Sequence, residues 1–433
     1  FTKDVKPGKI TDKKIDKKLD ITEYTLANGA KVLVKKTNFK DDEVNFSAVS
    51  HGGLSMAEDK DYLNASFATT IVGNSGVGAF DNTELEKALV GKNVRLAPYI
   101  EEYSEGFHGS SSKKDLETML QLTNLYFTEP RKDKKAFLSV RNKIKSQLQN
   151  KANNSESVFE DSVTVALYGN HLRKRPVSAE DLNGLDLNTA YEFYKSRFNA
   201  ANDFEFVLVG DLDVKETESL IEKYIGSLPA NGKTEKAIDR GIRVTNKGVA
   251  KTYVNGDQDR AQVRIVIPAG FSWSAEARQR VKSMTDLLEI KLLENVREKL
   301  GGVYSPSVYP MFEKFPTQQA SIVIEYVCKP NQANDVVKAT FDVFDIMKKD
   351  EDKVGTEKVR KAQENQREVM LKSNNFWSGN IPFYIENGDD MTEILNYDKY
   401  VKSLKPSDIK TEAKKILNRD KAIVVINQPT IAK

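Results

Sequence analysis

The sequence predicts an α+β fold of two homologous domains, each an α/β sandwich with a mostly antiparallel sheet packed against long helices. Three observations lead there. A hairpin signal opens the first apolar stretch. Strand-like and helix-like segments recur in one order at a spacing of about 220 residues. A Pro/Gly/Asn break, Leu228-Pro229-Ala230-Asn231-Gly232, falls between the two copies.

The hairpin spans residues 21–26 and 30–35 around Asn28-Gly29, a dipeptide suited to a tight turn. Residues 43–50 follow as a strand in which Val44, Phe46 and Ala48 alternate, ended by His51-Gly52-Gly53. Helical patterns come next at 61–71 and 82–90. The repeat then becomes visible. A strand at 105–112 leads into a helix with Leu116, Met119, Leu120 and Phe127. A strand at 320–328 leads into one with Val336, Phe341, Phe344 and Met347. Long charged helices follow both, at 134–151 and 356–372. Aromatic-bearing helices come after them, at 157–168 and 376–386. Residues 178–198 and 398–417 each read as a short helix, a loop and a longer helix. The segments at 204–210 and 421–426 read as matching closing strands. The expected domains are a charged linker at 1–20, a first domain at 21–230, a linker at 231–247 and a second domain at 248–433. The chain begins at Phe1 rather than Met, and with its charged leader it reads as a fragment or a processed product.

Composition narrows the function. Lys plus Arg number 66 against 63 Asp plus Glu, a near-balance that excludes a dedicated nucleic-acid binder. No run reaches the roughly 18 apolar residues of a membrane-spanning helix. The one cysteine, Cys328, sits in a strand pattern and reads as core rather than nucleophile.

Three histidines limit the metal chemistry. A catalytic zinc usually takes three protein ligands, and a helix supplies two when His recurs at i and i+4. His51, His108 and His171 each lack such a partner and read as strand-end or loop residues. The glycines at 73–78 lack the Gly-Lys-Ser/Thr ending of a phosphate loop and read as a loop ending a helix. Gly-x-Ser-x-Gly, the mark of an esterase-type nucleophile, is absent.

One segment stands apart. Residues 283–299 form an amphipathic helix pattern, broken by Leu300-Gly301-Gly302, and Val303-Tyr304-Ser305-Pro306 begins an extended stretch. Arg297 and Tyr304 could together donate hydrogen bonds to a peptide carbonyl or carboxylate. Spacing alone equally admits a helix-capping arginine and a packing tyrosine, and favours those roles.

The run Arg297-Glu298-Lys299-Leu300-Gly301-Gly302-Val303-Tyr304 resembles the Arg-Glu-x-x-Gly-x-x-Tyr element of the pitrilysin/insulinase family of zinc peptidases. Tyr24 to Val32 resembles that family's opening hairpin, and residues 204–211 resemble the strand closing its first domain. Active members carry His-x-x-Glu-His on the first helix after the third strand. Here residues 61–70, Asp-Tyr-Leu-Asn-Ala-Ser-Phe-Ala-Thr-Thr, contain neither His nor Glu. The resemblance therefore implies the non-catalytic, substrate-binding half of a zinc metalloendopeptidase. It implies no catalytic or metal residue in this chain, with zinc supplied by a homologous half on the same longer chain or a separate subunit. Arg297 and Tyr304 are the implied substrate-binding residues, and a peptide the implied substrate. The expected compartment is the periplasm or cell envelope. The alternative is a non-catalytic peptide-binding or scaffolding protein of the same fold.

Overall fold

The computed structural model describes residue 1 and residues 5–151, 153–255, 259–301 and 303–430. Strands β1 (Ile10–Asp16), β2 (Ile21–Leu26), β3 (Lys31–Lys36), β4 (Val44–His51), β5 (Val94–Ile100), β6 (Ser104–Ser111) and β7 (Glu205–Gly210) build one sheet, ordered β1-β2-β3-β7-β4-β6-β5. Strands β8 (Val249–Val254), β9 (Ala261–Gly270), β10 (Ser307–Glu313), β11 (Gln319–Cys328) and β12 (Ile423–Gln428) build the other, ordered β10-β11-β9-β12-β8. Read from its other end, the second order matches β3-β7-β4-β6-β5 place for place. The parallel pair also matches, β3 with β7 and β8 with β12. The duplication seen as recurring patterns is thus a duplication of topology.

The helices are α1 (Tyr62–Ser66), α2 (Ala68–Ser75), α3 (Asn82–Ala88), α4 (Leu116–Thr128), α5 (Lys134–Lys151), α6 (Ser155–Tyr168), α7 (Leu187–Arg197) and α8 (Val214–Leu220). They continue with α9 (Ala275–Leu292), α10 (Glu298–Leu300), α11 (Ala333–Lys349), α12 (Lys353–Met370), α13 (Asn374–Asn387), α14 (Tyr397–Ser403) and α15 (Pro406–Ile416). The pairs α4/α11, α5/α12, α6/α13 and α7/α15 recur at the expected spacing of about 220 residues. Gly29 takes φ 85° and its N–H bonds to Leu26 O at 2.8 Å, closing the hairpin that Asn28-Gly29 signalled.

One element departs from expectation. Residues 10–16, taken as part of a charged linker, form β1 and pair antiparallel with β2. Its middle residues, Thr11 to Lys14, are exposed, so no side-chain alternation betrays the strand. Main-chain hydrogen bonds hold it, and its lysines suit a sheet edge, where charge discourages pairing with another chain.

By contact density the chain divides into two compact units that are not continuous in sequence. One takes residues 1–146, 178–240 and 369–392, the other 147–177, 241–368 and 393–433. Helix α13 thus belongs to the first unit, where Lys35 Nζ lies 4.2 Å from the Trp377 ring centroid. Helix α6 belongs to the second, where Phe159 and Val163 pack with Val266, Val323, Ile423 and Val425. The first unit's core is aromatic: Phe127 meets Phe204 at 5.0 Å between centroids, and Phe107 meets Phe198 at 5.0 Å, both edge-on. Burying each such ring contributes about 2 kcal/mol. The second unit's core is aliphatic, with Ile265, Ile267, Ile322 and Ile324 of its sheet under Met284, Leu288, Val336 and Phe344 of its helices.

Candidate functional site

The segment carrying Arg297 begins with α9. Apolar periodicity predicted a start near Ser283, yet the helix starts at Ala275, where Ser274 Oγ accepts the Ala277 N–H at 3.0 Å. The first turns hold Glu276, Arg278, Arg280 and Lys282 and contribute no apolar stripe, so the cap defines the start instead. Ser274→Ala is expected to cost about 1 kcal/mol, read as a lower urea midpoint. An unchanged midpoint would mean that the buried face of Val281, Met284, Leu287, Leu288 and Leu292 alone holds the helix.

Beyond Leu292 the backbone makes one π-helical turn, Leu293–Arg297, before α10. Such turns take side chains out of the α-helical register and recur at functional sites. Val296 is buried and Arg297 is exposed. Among the described residues the Arg297 guanidinium forms no ion pair and reaches no helix carbonyl, so the capping alternative is not adopted.

Gly301 stops the helix with φ 62°, a left-handed conformation that favours glycine, and its N–H bonds to Arg297 O at 3.1 Å. Gly302 lies outside the described residues. Val303 then bridges Cys328, and the Tyr304 N–H donates to Val327 O at 2.9 Å, which returns the chain to the second sheet just before β10. Tyr304 is 53% exposed, so its ring is not core packing. The Arg260 guanidinium carbon lies 5.0 Å from the ring centroid, a cation–π contact. Arg260 went unnoticed in the sequence because it precedes β9 and no spacing ties it to Tyr304.

Arg297 and Tyr304 therefore stand on the two sides of one helix-to-strand turn, both open to solvent. All their polar side-chain hydrogens can donate, and the arginines add positive charge. This set can hold a carbonyl or carboxylate oxygen and can stabilise charge developing on one.

The other singled-out residues fall elsewhere. His51 ends β4 as expected. His108 lies inside β6 rather than at a strand end and stacks on Tyr99, centroids 4.4 Å apart. His171 Nδ1 accepts the Arg173 N–H at 3.3 Å. Cys328 is 1% exposed, and burial pushes its thiol up to about 11, which keeps it protonated and unreactive. Residues 61–70 form α1, a break at Phe67 and the start of α2. There Asn64 Oδ1 accepts the Asp186 N–H at 2.7 Å, and the Tyr62 hydroxyl donates to Glu102 at 3.0 Å. These side chains do not fit a zinc ion. Among the described residues no group of three or more His, Cys, Asp or Glu could hold a metal.

Comparison with known proteins bears on the fold. Residues 184–366 match the family model described as the peptidase M16 inactive domain. A probable zinc protease PqqL of Haemophilus influenzae is 25% identical over 342 residues, covering 78% of this chain and 36% of that protein. The chain thus spans well under half the length of this curated relative. The crystal structure of the periplasmic protease PqqL from Escherichia coli superposes with TM-score 0.83 at 18% identity, over 99% of this chain and 48% of that one. A crystallised peptidase M16 inactive domain from Pseudomonas fluorescens superposes with TM-score 0.75 at 17% identity, over 96% of this chain and 99% of that one. Residues 184–366 thus match a peptidase M16 inactive domain, and the chain as a whole has the fold of M16 (pitrilysin/insulinase-type) peptidase structures and resembles zinc proteases of that kind.

Proposed function

We propose that this chain is the substrate-holding, non-catalytic half of a zinc endopeptidase, which binds an extended peptide at a metal site furnished by a homologous half. The observation that carries the reading is the exposed turn of Arg297 and Tyr304, with Arg260 stacked on the phenol. Among the described residues neither side chain of this turn has an ion pair or a hydrogen-bond partner, and a pure scaffold has no need of such a pair. In this reading the guanidinium of Arg297 and the hydroxyl of Tyr304 donate to the backbone of the bound peptide beside the scissile bond. The adjoining edge strand contributes little pairing. Pro310 removes one of the donors of β10, and the Glu289 carboxylate already takes the Val308 N–H. The likeness to the periplasmic protease PqqL from Escherichia coli supports placement in the periplasm or cell envelope.

The isolated chain is expected to purify without stoichiometric zinc and to cleave no peptide. Metal analysis showing one tightly held zinc per chain would sink the proposal. So would chelator-sensitive hydrolysis by the chain alone.

A further inference from the structure

The second sheet has two faces. Helices α9 and α11 cover one, and α6 covers part of the other. On the α6 face, Gln262 of β9 donates to Glu156 at 2.8 Å and Val266 packs with Phe159 and Val163. Strand register carries this face from Val266 across β11, at Val323 and Ser321, to Tyr309 and Met311 of the edge strand β10. There the cover stops: Tyr309 is 39% exposed and Met311 53%. The result is a groove of about 540 Å³, walled by Val163 and Leu167 of α6 and lined by Val266, Val323, Tyr309 and Met311 of the sheet.

In the first unit the matching place is filled. Register aligns Tyr309 with Tyr99 of β5, and Glu325 with His108 of β6. Tyr99 stacks on His108, and its hydroxyl donates to Ala48 O at 3.3 Å. With Glu325 in place of the histidine that stack cannot form, and the Tyr309 hydroxyl donates to Glu325 at 3.0 Å instead. The charges around the groove are matched. Arg264 stands between Glu160 at 2.6 Å and Glu325 at 2.8 Å, and Glu313 faces the charges of Lys174 and Arg243. What stays open between them is apolar.

The groove is continuous with the Arg/Tyr turn. Tyr304 precedes β10 by three residues. Arg260, stacked on Tyr304, continues by alternation the row of Gln262, Arg264 and Val266. From Arg260 to Val266 the strand covers about 20 Å. The edge of β10 pairs poorly, so its side-chain face is the surface it offers a peptide.

We propose that this groove is a subsite for an uncharged apolar side chain of the peptide held at Arg297 and Tyr304, about six residues along the extended peptide from Tyr304. The inference rests on the peptide-holding reading above and adds the substrate class. Tyr309 and Met311 then determine specificity: they accept Phe, Leu or Met and reject a charged residue, whose lost hydration the groove does not replace.

Fluorescent Gly/Ser peptides, titrated into the intact chain and followed by anisotropy, test this. A twelve-residue peptide with Phe at its third position is expected to bind at least about tenfold tighter than the same peptide with Asp there. Met311→Asp is expected to erase that preference, and Met311→Leu to keep it. The side chain is exposed, so neither substitution disturbs folding. Arg297→Ala is expected to weaken both peptides alike. A Gly-Phe-Ser tripeptide cannot span about 20 Å, so its binding should respond to Met311→Asp and not to Arg297→Ala. Equal binding of the Phe and Asp peptides, or a preference unmoved by Met311→Asp, overturns the subsite while leaving the Arg/Tyr reading in place. A preference erased by Met311→Asp, with the long peptides unmoved by Arg297→Ala and Tyr304→Phe, overturns that reading and with it the link between groove and turn.

Discussion

Arg297→Ala, in the chain recombined with a metal-bearing half, is expected to lower kcat/KM by about 100-fold, the usual loss on removing one donor from a charge-stabilising site. Tyr304→Phe is expected to do the same with a smaller perturbation, since only a hydroxyl leaves. Both side chains are exposed, so stability should move by no more than about 0.5 kcal/mol. The kinetic split identifies the role. Donors that act as charge develops on the carbonyl lower kcat together with kcat/KM, whereas donors that merely hold the peptide raise KM alone. Arg297→Lys keeps the charge but loses the planar fork, and is expected to recover only part of the rate. Wild-type rates in both Arg297→Ala and Tyr304→Phe would return the turn to a surface role and favour the scaffold alternative.

Arg197→Ala is expected to cost about 3–5 kcal/mol at alkaline pH, because it strips the cation from a buried carboxylate. Glu105 of β6 is 1% exposed. Its carboxylate accepts the Gly53 N–H at 2.5 Å and lies 4.0 Å from the Arg197 guanidinium, which also binds Glu235. Burial pushes Glu105 up to about 8, while Arg197 and the Gly53 N–H pull the other way. The folded pKa lies above the unfolded value of 4.5, so the folded state holds an extra proton between them. The stability this confers is complete below about pH 4.5 and is lost as pH rises through about 8. Without Arg197 the carboxyl can still be buried as the neutral acid at low pH, but not as the anion at high pH. Urea unfolding at pH 6 and pH 9 checks this. The variant should lose clearly more at pH 9, and an equal loss at both would mean that Arg197 acts by packing rather than by charge.

Much of the fold was legible because it rests on local patterns. Asn28-Gly29 marked its hairpin to within one residue, and the alternation of Val44, Phe46 and Ala48 marked β4. The helices α4 and α11 showed in their apolar stripes. Elements with no apolar pattern escaped. β1 is held by main-chain bonds with its middle residues in water, and the first turns of α9 are set by one serine cap. The site was half legible. Arg297 and Tyr304 lie within one motif, so the family resemblance could point to them where spacing alone favoured capping and packing. Arg260 reaches Tyr304 only because the fold places the residues before β9 beside the turn after α10. Sequence could not choose between capping and exposure for Arg297, since both obey the same spacing.

The residues alone determined the duplication, the Arg/Tyr motif and the absence of His and Glu from residues 61–70, because each depends on composition and order along the chain. Tertiary structure decided what depends on neighbours distant in sequence. It placed α6 and α13 each in the unit built mainly from the other half, turned Arg297 out to solvent and set Arg260 against Tyr304. The physical reason is that periodicity specifies which face of an element is apolar, but only packing specifies what that face meets.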